Sequence, residues 1–173
     1  PVLPPLPEVF TILAYLPRQR TAFYGGHEVE LLMRDFLGKP VRFIIVGGGM
    51  VNAPLGAFVE NLGWTHALAD VYARSTVLLR FTSNDGLALM VLEALAMGRQ
   101  VVWTKNFPFV HSVASYDDVK RTITELLEKH TSGVLGLQWE ASQYIRNGYA
   151  PNRCIEGLTR HWQSVTAGEK IDE

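Results

Sequence analysis

Ser83-Asn84-Asp85-Gly86-Leu87-Ala88-Leu89-Met90-Val91-Leu92-Glu93-Ala94-Leu95-Ala96-Met97-Gly98 places apolar residues at 87, 90, 91, 94 and 95. That is the i, i+3, i+4, i+7, i+8 recurrence of a helix buried on one face. Ala88, Leu89, Leu92 and Ala96 make the rest of its circumference apolar as well, which predicts a helix enclosed nearly all round. Two carboxylates belong to the stretch. Glu93 lies inside it, and Asp85 stands just before it, at the expected helix mouth. An unpaired carboxylate taken out of water costs several kcal/mol or shifts its pKa. Glu93 therefore needs either a donor in the core or a cleft with a ligand to hold.

Outward from this helix, short apolar runs alternate with helical patterns. Strands are expected at residues 9–16, 41–46, 57–62, 75–81, 100–103 and 110–114. Helices are expected at 27–37, 65–73 and 115–130, with two more near 140–147 and 152–165. Gly38 and Pro40 mark the end of the first helix, and Thr65 is a candidate cap for the second. Such alternation predicts an α/β fold: a Rossmann-like three-layer sandwich whose parallel sheet of about six strands carries helices on both faces. Ligands of such sheets lie beyond the carboxyl ends of the strands. Those ends carry Arg18 and Arg20, then Gly47, Gly48 and Gly49, then Gly63 and Trp64, then residues 83–86 and 104–106. Glycines at a strand end let backbone approach a ligand closely. The Gly47–Gly49 run is not a G-x-G-x-x-G with a helix directly behind it, so it matches a dinucleotide fingerprint poorly.

The 173 residues suit one domain with a sizeable core. Pro1-Val2-Leu3-Pro4-Pro5-Leu6-Pro7 reads as a linker cut mid-chain. The expected division is therefore residues 1–8 as a linker from a missing N-terminal domain, 9–166 as the ligand-binding domain and 167–173 as a polar tail. A net charge of −1 argues against nucleic acid as a partner, which wants a basic excess. A single cysteine excludes an intrachain disulfide and fits a reducing compartment. No apolar run reaches membrane-spanning length. The five histidines are scattered without ligand spacing, so neither a metal site nor a Ser-His-Asp site is expected.

Asp85-Gly86-Leu87 followed by Glu93-Ala94-Leu95-Ala96-Met97-Gly98 and Val101-Val102 resembles the signature of retaining GT-B glycosyltransferases of the "group 1" kind. That signature sets two acids eight positions apart, and the likeness extends over roughly residues 9–130. The resemblance implies the donor-binding C-terminal half of a two-domain enzyme, whose N-terminal half holds the acceptor. Glu93 would hold the ribose hydroxyls of a UDP-, GDP- or ADP-sugar, and Asp85 the hydroxyls of the transferred sugar. Backbone amides of Gly86, Leu87 and Ala88 would bind sugar and diphosphate, while Gly63 and Trp64 flank the base and Gly47 and Gly48 border the ligand. With Asp85, the arginines Arg18 and Arg20 are the candidate catalytic groups. The family's phosphate-clamping lysine falls at Tyr24-Gly25. Arg99-Gln100 replaces the usual x-Pro after the glycine, and Asp replaces the usual Glu at 85. Neither a metal nor a cofactor is implied. The expected setting is cytoplasmic, with association of the full-length enzyme with a membrane left open. Two alternatives stay open beside this reading: a non-catalytic nucleotide- or protein-binding module of the same fold, and a GT-B nucleotide-sugar epimerase.

Overall fold

The computed structural model describes residues 2–149. The helix expected at 152–165 and the polar tail lie outside the described residues. Six strands, β1 (Phe10–Tyr15), β2 (Val41–Val46), β3 (Phe58–Gly63), β4 (Val77–Arg80), β5 (Gln100–Trp103) and β6 (His111–Ser112), form one sheet. Its order is β3-β2-β1-β4-β5-β6 and every pairing is parallel. The helices are α1 (Gly26–Asp35), α2 (Leu68–Ala73), α3 (Leu89–Ala96), α4 (Tyr116–Thr131) and α5 (Trp139–Gly148). The α/β class, the parallel sheet and the two helical layers follow the sequence reading.

The alternation of side chains along a strand divides the core in two. Phe10, Ile12 and Ala14 of β1 pack with Phe43 and Ile45 of β2 and Val77 and Leu79 of β4 against Leu32 of α1 and Ile123 of α4. Leu13, Ile44, Leu78 and Val101 face the other way, toward Val71 of α2, Val91 and Leu95 of α3 and Ala141 of α5. Both faces of the central strands are thus covered, as continuous apolar runs in a parallel sheet require.

The opening helix is shorter than expected. α3 begins at Leu89, its N-cap residue is Ala88 and no side chain caps it. Residues 83–88 are irregular, so Asp85 stands a full turn ahead of the helix. Enclosure is also incomplete: Leu87 is 54% and Leu89 67% exposed. The apolar periodicity begins at Leu87, directly after Gly86, where the entropic cost of ordering glycine disfavours helix. At α2, Thr65 accepts a hydrogen bond from the Ala67 amide at 3.1 Å and forms a local turn. The N-cap position is Ala67, and the helix starts at Leu68.

Residues 3–7 lie on the domain. Leu3 is buried, Arg99 donates to the carbonyls of Pro5 at 3.0 Å and Pro4 at 2.6 Å, and His130 Nε2 donates to that of Pro7 at 2.8 Å. These contacts gather at the amino ends of the strands.

Candidate functional site

The strand order reverses between β1 and β4, the two strands from which the chain winds outward in both directions. At such a switch point the loops leave in opposite directions and open a crevice beyond the carboxyl ends. A cavity of about 290 Å³ sits there. Tyr15 of β1, Val46 of β2, Gly47 directly after it and Arg80 of β4 form its floor. Trp64, Thr65 and Leu68 close it on the β3 side, and Leu89 and Met90 bring the first turn of α3 to its rim. A cleft of about 350 Å³ at the amino ends, between α1 and the starts of β2 and β3, is lined by Phe36, Arg42 and Phe58 among others and by no carboxylate. Strand-end geometry makes the smaller cavity the candidate site.

Gly47 and Gly48 adopt φ of 103° and 79°. The Gly47 amide bonds the Gly63 carbonyl at 2.7 Å, and the Gly49 amide bonds that of Leu16 at the same distance. A Cβ on Gly47 would come within 2.8 Å of the Tyr15 ring. The glycine run is therefore demanded by its close approach to β1, and this alone brings backbone to the cavity edge. Trp64, 70% exposed, stands just past Gly63, whose φ of 65° turns the chain out of β3.

Glu93 is half-buried and accepts a hydrogen bond from the Tyr72 hydroxyl at 2.7 Å. Burial, first, and the neighbouring carboxylate push the Tyr72 phenol far above its usual range, so it remains a donor. Sequence reasoning asked for a core donor or a cleft; the donor is Tyr72 of α2. Glu93 lies one helical turn below Leu89 and Met90 on α3 and is not among the residues lining the cavity. Its Oε1 has no partner among the described residues.

Asp85 is engaged. Its Oδ2 accepts a hydrogen bond from Arg80 Nε at 2.5 Å and its Oδ1 one from Nη2 at 3.3 Å, and the Thr82 hydroxyl donates to Oδ2 at 3.3 Å. Both side chains are largely buried. Arg80 also lies over the rings of Tyr24 and Tyr15, at 5.1 and 6.0 Å from their centroids. The amides of Gly86, Leu87 and Ala88 donate to no other backbone group among the described residues, which leaves donors beside the positive end of α3. Arg18 and Arg20 are exposed on the loop after β1 and form no ion pair among the described residues.

Gly47, Trp64 and the α3 mouth thus converge, Glu93 lies one turn below, and Arg18 and Arg20 stand apart at the surface. Arg80 and Tyr72 are absent from the sequence-based site. An arginine closing the apolar strand Val77-Leu78-Leu79 is the signal that singles out the first. No spacing rule points to the second.

The profile of the family described as "Glycosyl transferases group 1" matches residues 19–128. Comparison with curated proteins finds no match. Among solved structures, HepE of Anabaena in complex with UDP is similar at 13% identity and a TM-score of 0.72, over 91% of this chain and 49% of that one. Sucrose-phosphate synthase of Thermosynechococcus elongatus is similar at 14% identity and a TM-score of 0.72, over 95% and 47%. A mutant of S. aureus TarM in complex with Fondaparinux, alpha-GlcNAc-glycerol and UDP is similar at 16% identity and a TM-score of 0.69, over 90% and 36%. The chain spans a third to a half of the length of these structures.

Proposed function

The chain belongs to the Glycosyl transferases group 1 family, and from that premise we propose that it holds the nucleotide diphosphate sugar from which a hexosyl group passes, with retained anomeric configuration, to an acceptor hydroxyl. The observation that carries the proposal is the cavity at the β1/β4 switch point, walled by Trp64 and Leu68 and facing the mouth of α3. An apolar pocket with a few polar groups at its rim is the usual form of a small-molecule site. In this reading the base enters between Trp64 and Leu68. The unpartnered Oε1 of Glu93 accepts from ribose hydroxyls, for which a carboxylate, acceptor on both oxygens, is suited. The diphosphate meets the amides of Gly86, Leu87 and Ala88, where a helix N-terminus favours anions. Arg18 and Arg20, exposed on the loop after β1, would have to turn toward the cavity to meet the ligand. The similar structures that carry UDP support a nucleotide ligand.

The test is calorimetry of the chain with UDP, GDP and ADP, free and sugar-linked. Binding by one of them, weakened at least about tenfold by Glu93→Ala, a loss of about 1.4 kcal/mol, is expected. Dissociation constants above about 1 mM for all of them, with Glu93→Ala indistinguishable from wild type, would sink the proposal.

A second reading is a binding module without transfer chemistry. It is favoured by one observation: both oxygens of Asp85 accept from Arg80, so a sugar hydroxyl would have to share them. Assay of the full-length gene product for transfer separates the two readings.

A further inference from the structure

Arg80 is the cationic side chain among the residues that line the cavity, and the nucleotide reading gives it no role. We propose that Arg80 grips the donor's diphosphate and that Asp85 is its positioning residue, acting on the ligand through Arg80 and not by touching the sugar. The inference rests on the nucleotide-sugar reading above and assigns the charge on which that reading depends.

Three observations carry it. Arg80 is 8% exposed, and a guanidinium is taken out of water at a large cost unless it is paired and hydrogen-bonded. Asp85 supplies the pairing along one edge only, through Nε and Nη2. The opposite amine, Nη1, has no partner among the described residues and is not one of the buried atoms sealed from solvent. A guanidinium carries five donors in a rigid plane. Here one edge is spent on the protein and the other is open at a residue that lines the cavity. The rings of Tyr15 and Tyr24 lie with their centroids 6.0 and 5.1 Å from the Arg80 Cζ, and cation–π attraction helps to hold the guanidinium in place.

The surroundings fit an anion. Across residues 86–88 three amides donate to no backbone group among the described residues, and α3 begins directly after them. Charge-assisted bonds from a fixed guanidinium to phosphate oxygens are short and directional. Arg18 and Arg20, exposed and without ion pairs, lack such a mount. Asp85 makes the burial of Arg80 tolerable and turns its open edge outward. Removing Asp85 therefore loosens the arginine without removing its charge.

The experiment compares UDP, UMP and uridine, or the corresponding series on whichever of GDP and ADP binds best, by calorimetry on the 173-residue chain. Arg80→Met is expected to weaken the diphosphate at least tenfold and leave the nucleoside unchanged. Arg80→Met strands Asp85 in a buried position, so the double variant Arg80→Met/Asp85→Asn provides a folded counterpart without either charge, checked by its melting transition. Asp85→Asn alone is expected to weaken the diphosphate several-fold. Added to Arg80→Met it is expected to cost nothing more, because its effect passes through the arginine. Arg80→Lys is expected to restore part of the loss. A double variant that is folded and binds the diphosphate like wild type overturns the proposal. So does a loss that falls equally on nucleoside and diphosphate, which marks a structural role. Wild-type protein that binds none of the three diphosphates overturns the nucleotide reading itself, a result distinct from a variant that binds as well as wild type.

Discussion

The contact between Tyr72 and Glu93 decides how a carboxylate survives on a helix packed against the sheet. The Tyr72 ring is buried among the α2, α3 and sheet side chains, and its hydroxyl reaches Glu93 at 2.7 Å. Removing a donor from a hydrogen-bonded charged group costs about 1.5–3 kcal/mol. Tyr72→Phe is expected to lose about that much in denaturant unfolding with an unchanged m-value, because the ring still packs. A loss below about 0.5 kcal/mol would show that water replaces the phenol. Gly25 makes a second test at this scale. Its φ is +76°, and a Cβ there would stand 2.5 Å from the Phe81 carbonyl oxygen. Gly25→Ala combines a left-handed backbone, costing about 1–3 kcal/mol for a side chain, with contact against main chain at the end of β4. Thermal unfolding is expected to fall accordingly, and nucleotide binding with it, because Phe81 follows Arg80 directly. Sequence reading found Glu93 anomalous, which it is. The partner lies 21 residues away on a helix whose own pattern only says that Tyr72 faces inward, so the pair was beyond reach.

Local chemistry fixed the elements most firmly where caps and periodicity agreed. α4 is the clearest case: Ser115 accepts from the Asp118 amide, and the Asp118 carboxylate accepts from the Ser115 amide, a reciprocal capping box. Ser115→Ala is expected to cost about 1 kcal/mol, read by denaturant unfolding. The Ser115 hydroxyl, first, then Arg121 and the Ala114 amide hold the Asp118 carboxyl down to about 2. A folded pKa below the unfolded value of about 3.9 means that the unfolded chain binds the proton more readily. The stabilisation is therefore whole above about pH 5 and is lost as pH falls toward 2. The stability gap between wild type and Asp118→Asn is expected to shrink across that interval. A gap constant from pH 6 to pH 2.5 would place the effect elsewhere. Strand β2 was legible to the residue, because an apolar run bounded by Pro40 and Gly47 leaves little choice. The start of α3 was not, since the repeat of apolar residues through Leu87 and Ala88 is silent about Gly86 and the irregular backbone there. Arg80 was legible in part: an arginine closing an apolar strand stands out in the sequence, and tertiary placement is needed to show its pairing with Asp85 and its position at the cavity.

Across the whole molecule the two ends of the sheet do different work. The carboxyl ends hold the cavity, and the amino ends hold residues 3–7 in place through Arg99 and His130. Arg99 is fully buried, and desolvation pulls its guanidinium down to about 10, still charged at neutral pH. Its amines end on the Pro4 and Pro5 carbonyls, and its Nε has no partner among the described residues. Leu3 covers Gly98, where a Cβ would meet its Cδ1 at 2.8 Å. Sequence reading noticed Arg99 only as a departure from a pattern, because its acceptors lie 94 and 95 residues away. The arrangement predicts strong coupling between the arginine and the segment. Arg99→Met in the full chain is expected to destabilise by about 1–3 kcal/mol, the cost of losing two hydrogen bonds from a charged donor, and to make residues 1–7 more susceptible to proteolysis. Deleting residues 1–6 removes those acceptors and strands a buried charge, which is costly. In that shortened background the same substitution is expected to be neutral or stabilising, because it now removes the stranded charge. Non-additivity of this sign is what contact between two groups produces. An equal loss in both backgrounds would mean that Arg99 draws its stability from packing alone and that residues 3–7 merely lie over it. Nucleotide affinity serves as the control: both changes sit at the amino ends, so binding at the carboxyl-end cavity is expected to remain within about twofold, under 0.5 kcal/mol.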